Sequence, residues 1–413
     1  MKTIGIFTTF SNFDPAYSLT SVVRDQLIAL VKYDYKPVLF VLPSFKDDAL
    51  IPKGVETRKV IYQAILEPYK ELNYPDHWEE DVKKIKEIIE KNAQDIDIMI
   101  CHDIFFIDTY LPYNIALRES NIKARFLAWT HSAPSQRPQL ENNPHANRYT
   151  LPLKTKLIYL NHDKANELAE MYGAWLKDVR VVPNSRDPRT FWDLDPFVTS
   201  LIDKYSLFEA DIISIYPLST PRMITGKGLG YKVRLIVCNA HANAEKDKRL
   251  INETKFWAYE QSIHHEELIF TSLEEAPKYE HKVSQKVVSD LFRIGNVFIF
   301  PTISENSSLV LLEAMLAGNL LVLNRKVGTL LEHAGTDALY FDFDYREPKE
   351  ENERYYTDLA KIIASQFEQQ KTLQVKRRAL ETHNYDYIFK RYIEPLFFEE
   401  YEETQIGKVR ESN

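Results

Sequence analysis

The sequence predicts an α/β chain of two successive units, each built on a largely parallel sheet, and three observations carry that expectation. Short apolar runs with strand character alternate with longer amphipathic stretches along most of the chain. The alternation pauses at a proline- and acid-rich stretch, Asp187-Pro-Arg-Thr-Phe-Trp-Asp-Leu-Asp-Pro196, and then resumes. With 413 residues, 44% hydrophobic and 27% charged, the chain has the length for two or three domains and the mixture of a folded globular protein. Wholesale disorder, collagen and coiled-coil fibre are excluded on composition.

In the first unit, strands are predicted at residues 3–10, 37–42, 96–101, 124–130, 156–160 and 179–182, the last closed by Pro183. Between them, residues 76–94 carry Trp78, Val82, Ile85, Ile89 and Ala93 on one stripe, the pattern of a helix docked on a sheet. The second series has strands at 211–218, 233–239, 267–270, 297–300, 320–323 and 338–341. Residues 347–356 read as a charged surface loop, and a last helix is expected at about 385–402, packing back on the first unit. The expected division is a first unit over 1–186, a connection over 187–196, a second unit over 197–384 and a frayed tail over 403–413.

A formal charge of −8 argues against a surface that binds polyanions throughout. The two cysteines, Cys101 and Cys238, fit no metal-ligand spacing and read as free thiols of a reducing compartment. The apolar run after Met1 is too brief for a signal peptide, and no stretch reaches the about 18 apolar residues of a membrane span. A cytoplasmic location is therefore expected, with peripheral membrane contact left open.

The most informative segment is Phe300-Pro-Thr-Ile-Ser-Glu-Asn-Ser-Ser-Leu-Val-Leu-Leu-Glu-Ala-Met-Leu-Ala-Gly318. Ser307 or Ser308 can cap a helix over 309–317 that stops at Gly318. Eight of its nine residues are apolar and the exception is Glu313, so the pattern predicts a helix buried all round with polar company for that carboxylate. Glu305 precedes the same N-terminus, where free N–H groups favour an anion such as a phosphate. His102-Asp103 and His131 follow two first-unit strands, at the carboxyl edge where open α/β sheets bind ligands. Cys101-His102-Asp103 makes no thiol triad, because neighbouring strand residues point to opposite faces.

Seven residues separate Glu305 from Glu313, and this resembles the E-x7-E signature of the retaining glycosyltransferases of family 4. Residues 297–324 with Val327-Gly-Thr-Leu-Leu-Glu332 are similar to that family's strand, E-x7-E helix, strand and glycine turn. Val179-Arg-Val-Val-Pro-Asn-Ser-Arg-Asp-Pro-Arg-Thr-Phe191 resembles its exit from the first domain, and residues 212–228 its second-domain opening. The resemblance implies a GT-B fold, two Rossmann-like domains facing across a cleft, and a retaining transfer of a sugar from a nucleoside-diphosphate sugar to an acceptor hydroxyl. It further implies that Glu305 binds sugar hydroxyls, Glu313 the ribose, and the N–H groups of Ser307, Ser308 and Leu309 the sugar and phosphates. Arg222 and Lys227 would neutralise the leaving diphosphate, His131 would face the donor sugar, and His102 and Asp103 would lie on the acceptor side. The chain departs from the family at Asn306-Ser307-Ser308, where a Gly-rich turn is usual, at Ser185, and at Thr8-Thr-Phe-Ser-Asn-Phe-Asp-Pro15, which lacks paired glycines.

No metal or other cofactor is expected. His264-His265-Glu266-Glu267 lacks a second histidine one turn on, and Gly226-Lys227-Gly228 has the wrong spacing for a Walker loop. The resemblance implies a glycan, a lipid-linked sugar or a small molecule as the expected acceptor. DNA with hydroxymethylated bases is the alternative, because residues 118–164 hold eight basic against three acidic residues. A GT-B protein that only binds a nucleotide or glycan is the rival from another class, and a GT-B epimerase or phosphorylase is a further one.

Overall fold

The chain opens with β1 (Thr3–Phe7), whose alternating apolar residues face two sides of a sheet. A Cβ at Gly5 would meet Met99 Sδ at 2.8 Å, so a larger residue there would have to displace the Met99 side chain. The computed structural model describes residues 1–64, 78–134, 149–216, 230–238, 245–260, 262–274, 278–279, 282–343 and 349–400. The chain divides into two compact units, Met1–Asp187 with His383–Asn413, and Pro188–Thr382.

In the first unit, α1 (Ser18–Lys32) leads to β2 (Lys36–Val41) and β3 (Glu56–Lys59), then α2 (Trp78–Asn92), β4 (Ile98–His102), α3 (Leu111–Glu119), β5 (Arg125–Trp129), β6 (Thr155–Tyr159), α4 (Ala165–Met171) and β7 (Val179–Val181). The strands form a seven-stranded sheet in the order β3-β2-β1-β4-β5-β6-β7, parallel throughout. One face, with Phe7, Phe40, Met99 and Phe126, packs on Val82, Ile85 and Ile89 of α2 and on α3 and α4. The other, with Ile6, Leu39, Ile100 and Leu127, packs on α1 and on Phe389, Ile393 and Phe397 from the end of the chain.

The second unit starts with α5 (Pro188–Phe191) and α6 (Pro196–Tyr205). It continues through β8 (Ile212–Tyr216), β9 (Val233–Val237), α7 (Glu245–Glu260), β10 (Leu268–Phe270), α8 (Gln285–Ile294), β11 (Val297–Phe300) and α9 (Leu309–Leu316). The remaining elements are β12 (Leu320–Asn324), α10 (Gly328–Ala334), β13 (Leu339–Phe341), α11 (Lys349–Gln369) and α12 (Lys371–Thr382). Its parallel sheet has six strands in the order β10-β9-β8-β11-β12-β13. The chain then returns to the first unit as α13 (Tyr385–Ile388), a π-turn at Phe389–Ile393 and α14 (Glu394–Leu396). Each unit is Rossmann-like, a doubly wound parallel sheet, and two such units are the components of a GT-B fold.

One sequence expectation is corrected here, and one strand appears that the sequence did not signal. From Lys349 onward the stretch 347–356 is not a charged loop, because α11 runs through it, and residues 347 and 348 lie outside the described residues. Its charges are helix formers, and Leu359, Ile363 and Phe367 continue the helix as a buried stripe. The polar strand β3, Glu-Thr-Arg-Lys, carries no apolar signal, because it closes the edge of the sheet and none of its residues is fully buried.

Candidate functional site

Each sheet has one place where the strand order reverses, between β1 and β4 in the first unit and between β8 and β11 in the second. Loops leaving neighbouring strands there run in opposite directions and open a crevice at the carboxyl edge.

At the crevice of the second unit, β11 ends at Phe300 and residues 301–308 lead into α9. This turn is pinned on two sides: Asn324 Nδ2 donates to Thr302 O at 2.9 Å, and Thr329 Oγ1 donates to Glu305 O at 2.7 Å. Glu305 is half-buried and its Oε1 accepts from the N–H of Asn306 at 3.0 Å. Ser308 caps α9, its Oγ accepting from Leu311 N at 3.2 Å, while Ser307 and Leu309 are exposed. Glu313 lies one and a half turns into α9, with Gln285 Nε2 at 3.4 Å from its Oε1.

The expectation that α9 is buried all round is overturned. Leu311 and Ala314 are its buried residues, whereas Leu309 is 72% and Leu316 89% exposed. A helix laid on a sheet buries one stripe whatever the composition of the others, so Glu313 is a half-exposed group rather than a buried charge. Arg222 and Lys227 lie outside the described residues.

The crevice of the first unit gathers the other expected residues. Thr8 and Thr9 follow β1, His102 ends β4 with Asp103 after it, and His131 and Ser132 follow β5. Asp103 is a non-glycine residue at φ 58° and is 4% exposed. Its Oδ1 accepts from the N–H of His131 at 2.8 Å and of Ser132 at 3.3 Å, which ties the end of β5 to that of β4. Asp103 therefore spends its carboxylate on holding the backbone of His131. Burial raises its pKa and those bonds oppose the rise.

His102 Nδ1 lies 2.9 Å from His131 Nε2, and His102 Nε2 lies 2.9 Å from Gln26 Oε1 on α1. The ring of Trp129 lies parallel to that of His131, 6.2 Å away. Burial drives the pKa of His102 well below its ordinary value, with the His131 charge adding to the effect, and lowers His131 to about 4, so both rings are neutral at physiological pH. Tyr110 joins the cluster through Thr9, whose Oγ1 donates to its Oη at 3.4 Å, and Tyr17 lies near it, 40% exposed, with partial burial and the nearby Tyr110 and Asp103 pushing its phenol up to about 12.

Sequence reasoning missed Gln26, Tyr17 and Tyr110. Only Gln26 left a signal, as the polar residue on an otherwise apolar helical stripe. Of the described basic residues in 118–164, Arg125 and Lys156 are not at this edge. Arg125 and Lys156 stand at the amino ends of their strands, where Arg125 donates to Phe397 O and Glu399 O and Lys156 pairs with Glu399. Lys164 pairs with Glu167, and Arg137 and Arg148 lie outside the described residues.

Among the described residues no group of three or more His, Cys, Asp or Glu side chains is placed to hold a metal ion, and His264 and His265 are exposed. Cys101 and Cys238 are free and buried. No helix among the described residues is long and apolar enough to cross a membrane.

No protein-family model matches the chain, and no curated protein matches it. Among solved structures, the chain is similar to a glycosyltransferase from Rickettsia africae ESF-5, at 13% identity over 96% of this chain and 97% of that one, with a TM-score of 0.35. It is also similar to Anabaena Alr3699/HepE in complex with UDP-glucose, at 13% identity over 96% and 99%, with a TM-score of 0.34. A third likeness is to WaaG, a glycosyltransferase involved in lipopolysaccharide biosynthesis, at 11% identity over 94% and 98%, with a TM-score of 0.32.

Proposed function

We propose that this chain is a GT-B glycosyltransferase that moves a sugar from a nucleoside-diphosphate sugar to an acceptor hydroxyl with retention of configuration. The observation that carries the reading is the position of Glu305, Ser308 and Glu313. The two glutamates that match E-x7-E flank the capped N-terminus of α9, on the turn that leaves β11 at the strand-order reversal.

In this reading Glu305 takes sugar hydroxyls, Glu313 takes the ribose, and the N–H groups of Ser307, Ser308 and Leu309 take the sugar and diphosphate. Arg222 and Lys227 stabilise the charge that builds on the departing diphosphate. His131 serves the sugar from the first unit, held in place by Asp103, with His102 behind it. The transfer so read needs no metal and no cofactor beyond the donor. A glycan, lipid-linked sugar or small-molecule acceptor is preferred over DNA, since Arg125 and Lys156 are engaged with the end of the chain.

Mass spectrometry of the protein incubated with a panel of nucleotide-sugars, with and without candidate acceptors, tests the proposal. Donor turnover is expected, and Glu305→Gln should lower it about ten- to a hundredfold, the loss of a charge-assisted hydrogen bond. Binding of a nucleotide without turnover of any donor would favour the purely binding GT-B protein. Turnover that is untouched by both Glu305→Gln and Glu313→Ala would remove the site assignment.

A further inference from the structure

Gln26 stands on the core-facing stripe of α1, where Leu19, Val22, Val23, Leu27 and Leu30 are all buried, and is itself 4% exposed. An amide in such a place costs free energy unless it is hydrogen-bonded, and here the oxygen alone is bonded, Gln26 Nε2 being buried with no partner among the described residues. Its Oε1 faces His102 Nε2 at 2.9 Å, and a carbonyl oxygen only accepts, so the proton of that bond belongs to His102 Nε2. In a neutral imidazole the second nitrogen then carries a lone pair. His102 Nδ1 must accept, and the proton of its 2.9 Å contact comes from His131 Nε2. By the same rule His131 Nδ1 is left unprotonated, and it makes no hydrogen bond to any described residue.

From this geometry we infer that Gln26 is a positioning residue which, through His102, fixes the tautomer of His131 and presents an unprotonated Nδ1 at the first unit's crevice. Asp103 holds the backbone of the same histidine at 2.8 Å. The consequence is a chemical preference. A neutral ring with a free lone pair at Nδ1 takes a hydroxyl that donates, and that nitrogen offers nothing to a phosphate or carboxylate oxygen. Resting on the glycosyltransferase reading, the group met by His131 is a sugar or acceptor hydroxyl.

The test is nitrogen-15 NMR of the histidine-labelled full chain at alkaline pH, which reports which ring nitrogen carries the proton, with His131→Asn and His102→Asn assigning the signals. The expected spectrum has both rings protonated at Nε2. Gln26→Met, close in shape and without an acceptor, should move both rings toward the Nδ1-protonated form. Gln26→Glu should keep the wild-type pattern. In the transfer assay Gln26→Met should lower kcat about tenfold, as for one lost hydrogen bond, with Gln26→Glu restoring much of it and nucleotide affinity unchanged in both.

Rotating the Gln26 amide would reverse every donor in the chain and leave His131 protonated at Nδ1. That spectrum in the wild type, or an unchanged spectrum in a folded Gln26→Met variant, overturns the inference. Should Gln26→Met not fold, the wild-type and Gln26→Glu spectra decide, because the relay requires Nε2 protonation of both rings in each. The tautomers are read without any donor. The expected spectra with no sugar transfer would remove the glycosyltransferase reading and leave the relay, and turnover with the reversed spectra would do the opposite.

Discussion

Asp25 and Asp187 are both buried, at 3% and 0% exposure, where the first unit ends. Asp25 Oδ2 accepts from Ser185 Oγ and Asp187 N, each at 3.4 Å, and Asp187 Oδ2 accepts from Tyr385 N at 3.3 Å. Burial, and then the Asp187 charge, raises the Asp25 pKa to about 6 from an ordinary 3.8. A carboxyl whose folded pKa lies above its unfolded one binds its proton more tightly in the native state. Its contribution to stability is full below about 4 and is lost as pH rises through about 6. Asp25→Asn keeps an acceptor and gains a donor toward Asp187, so it should stabilise the protein near neutral pH by about 2–3 kcal/mol. Denaturant unfolding of both proteins from pH 4 to 7.5 checks this: the gap should open between about 4 and 6, and a gap that does not change with pH would refute it. At this scale the sequence reveals residue identity but not company. His102, Asp103 and His131 could be read as strand-end candidates from the apolar runs before them. Their mutual contact depends on the parallel register that sets His102 beside Trp129, and nothing local encodes it.

Among elements, α9 and the turn before it were the most legible, because Ser308, the apolar body and Gly318 mark a start, a middle and a stop. Ser308 accepts from Leu311 N, and Gly318 sits at φ 68°. Ser308→Ala should cost about 1 kcal/mol, the worth of an N-cap, measured by chemical denaturation. Because Leu316 is 89% exposed, Leu316→Gln should leave stability within about 0.5 kcal/mol of wild type, where a helix buried all round would lose several. Gly295, between α8 and β11, is the stricter position. A Cβ there would meet Ile215 Cγ1 at 2.9 Å and the Leu291 carbonyl oxygen at 3.1 Å. Backbone cannot yield as a side-chain tip can, so Gly295→Ala should destabilise by about 1–3 kcal/mol in the same assay. The polar edge strand β3 was illegible for the reason that α9 misled. Composition reports what a side chain is, whereas burial depends on which stripe or edge the fold leaves uncovered.

At the scale of the whole molecule, the last turns of the chain belong to the first unit although they follow the second in sequence. Phe397 is fully buried, packs edge-on against Tyr35 at 5.2 Å between ring centres, and shares a core with Ile6, Leu27 and Ile100. Its carbonyl accepts from Arg125 at 2.8 Å and from Lys2. Phe298, on β11, is equally buried in the second unit's core, between Phe292 and Phe300. Each unit has its own apolar cores, and each substitution should therefore report on its own sheet. Phe397→Ala should cost about 3–5 kcal/mol and Phe298→Ala a similar amount, the range for a buried phenylalanine. Hydrogen exchange read by mass spectrometry separates them. Phe397→Ala should lower protection in β1, α1 and β4 while β8, β11 and β12 keep theirs, and Phe298→Ala should do the reverse. Equal loss of protection in both sheets from either substitution would mean that the two cores open as one cooperative unit, and the assignment of residues 383–400 to the stability of the first unit would fall.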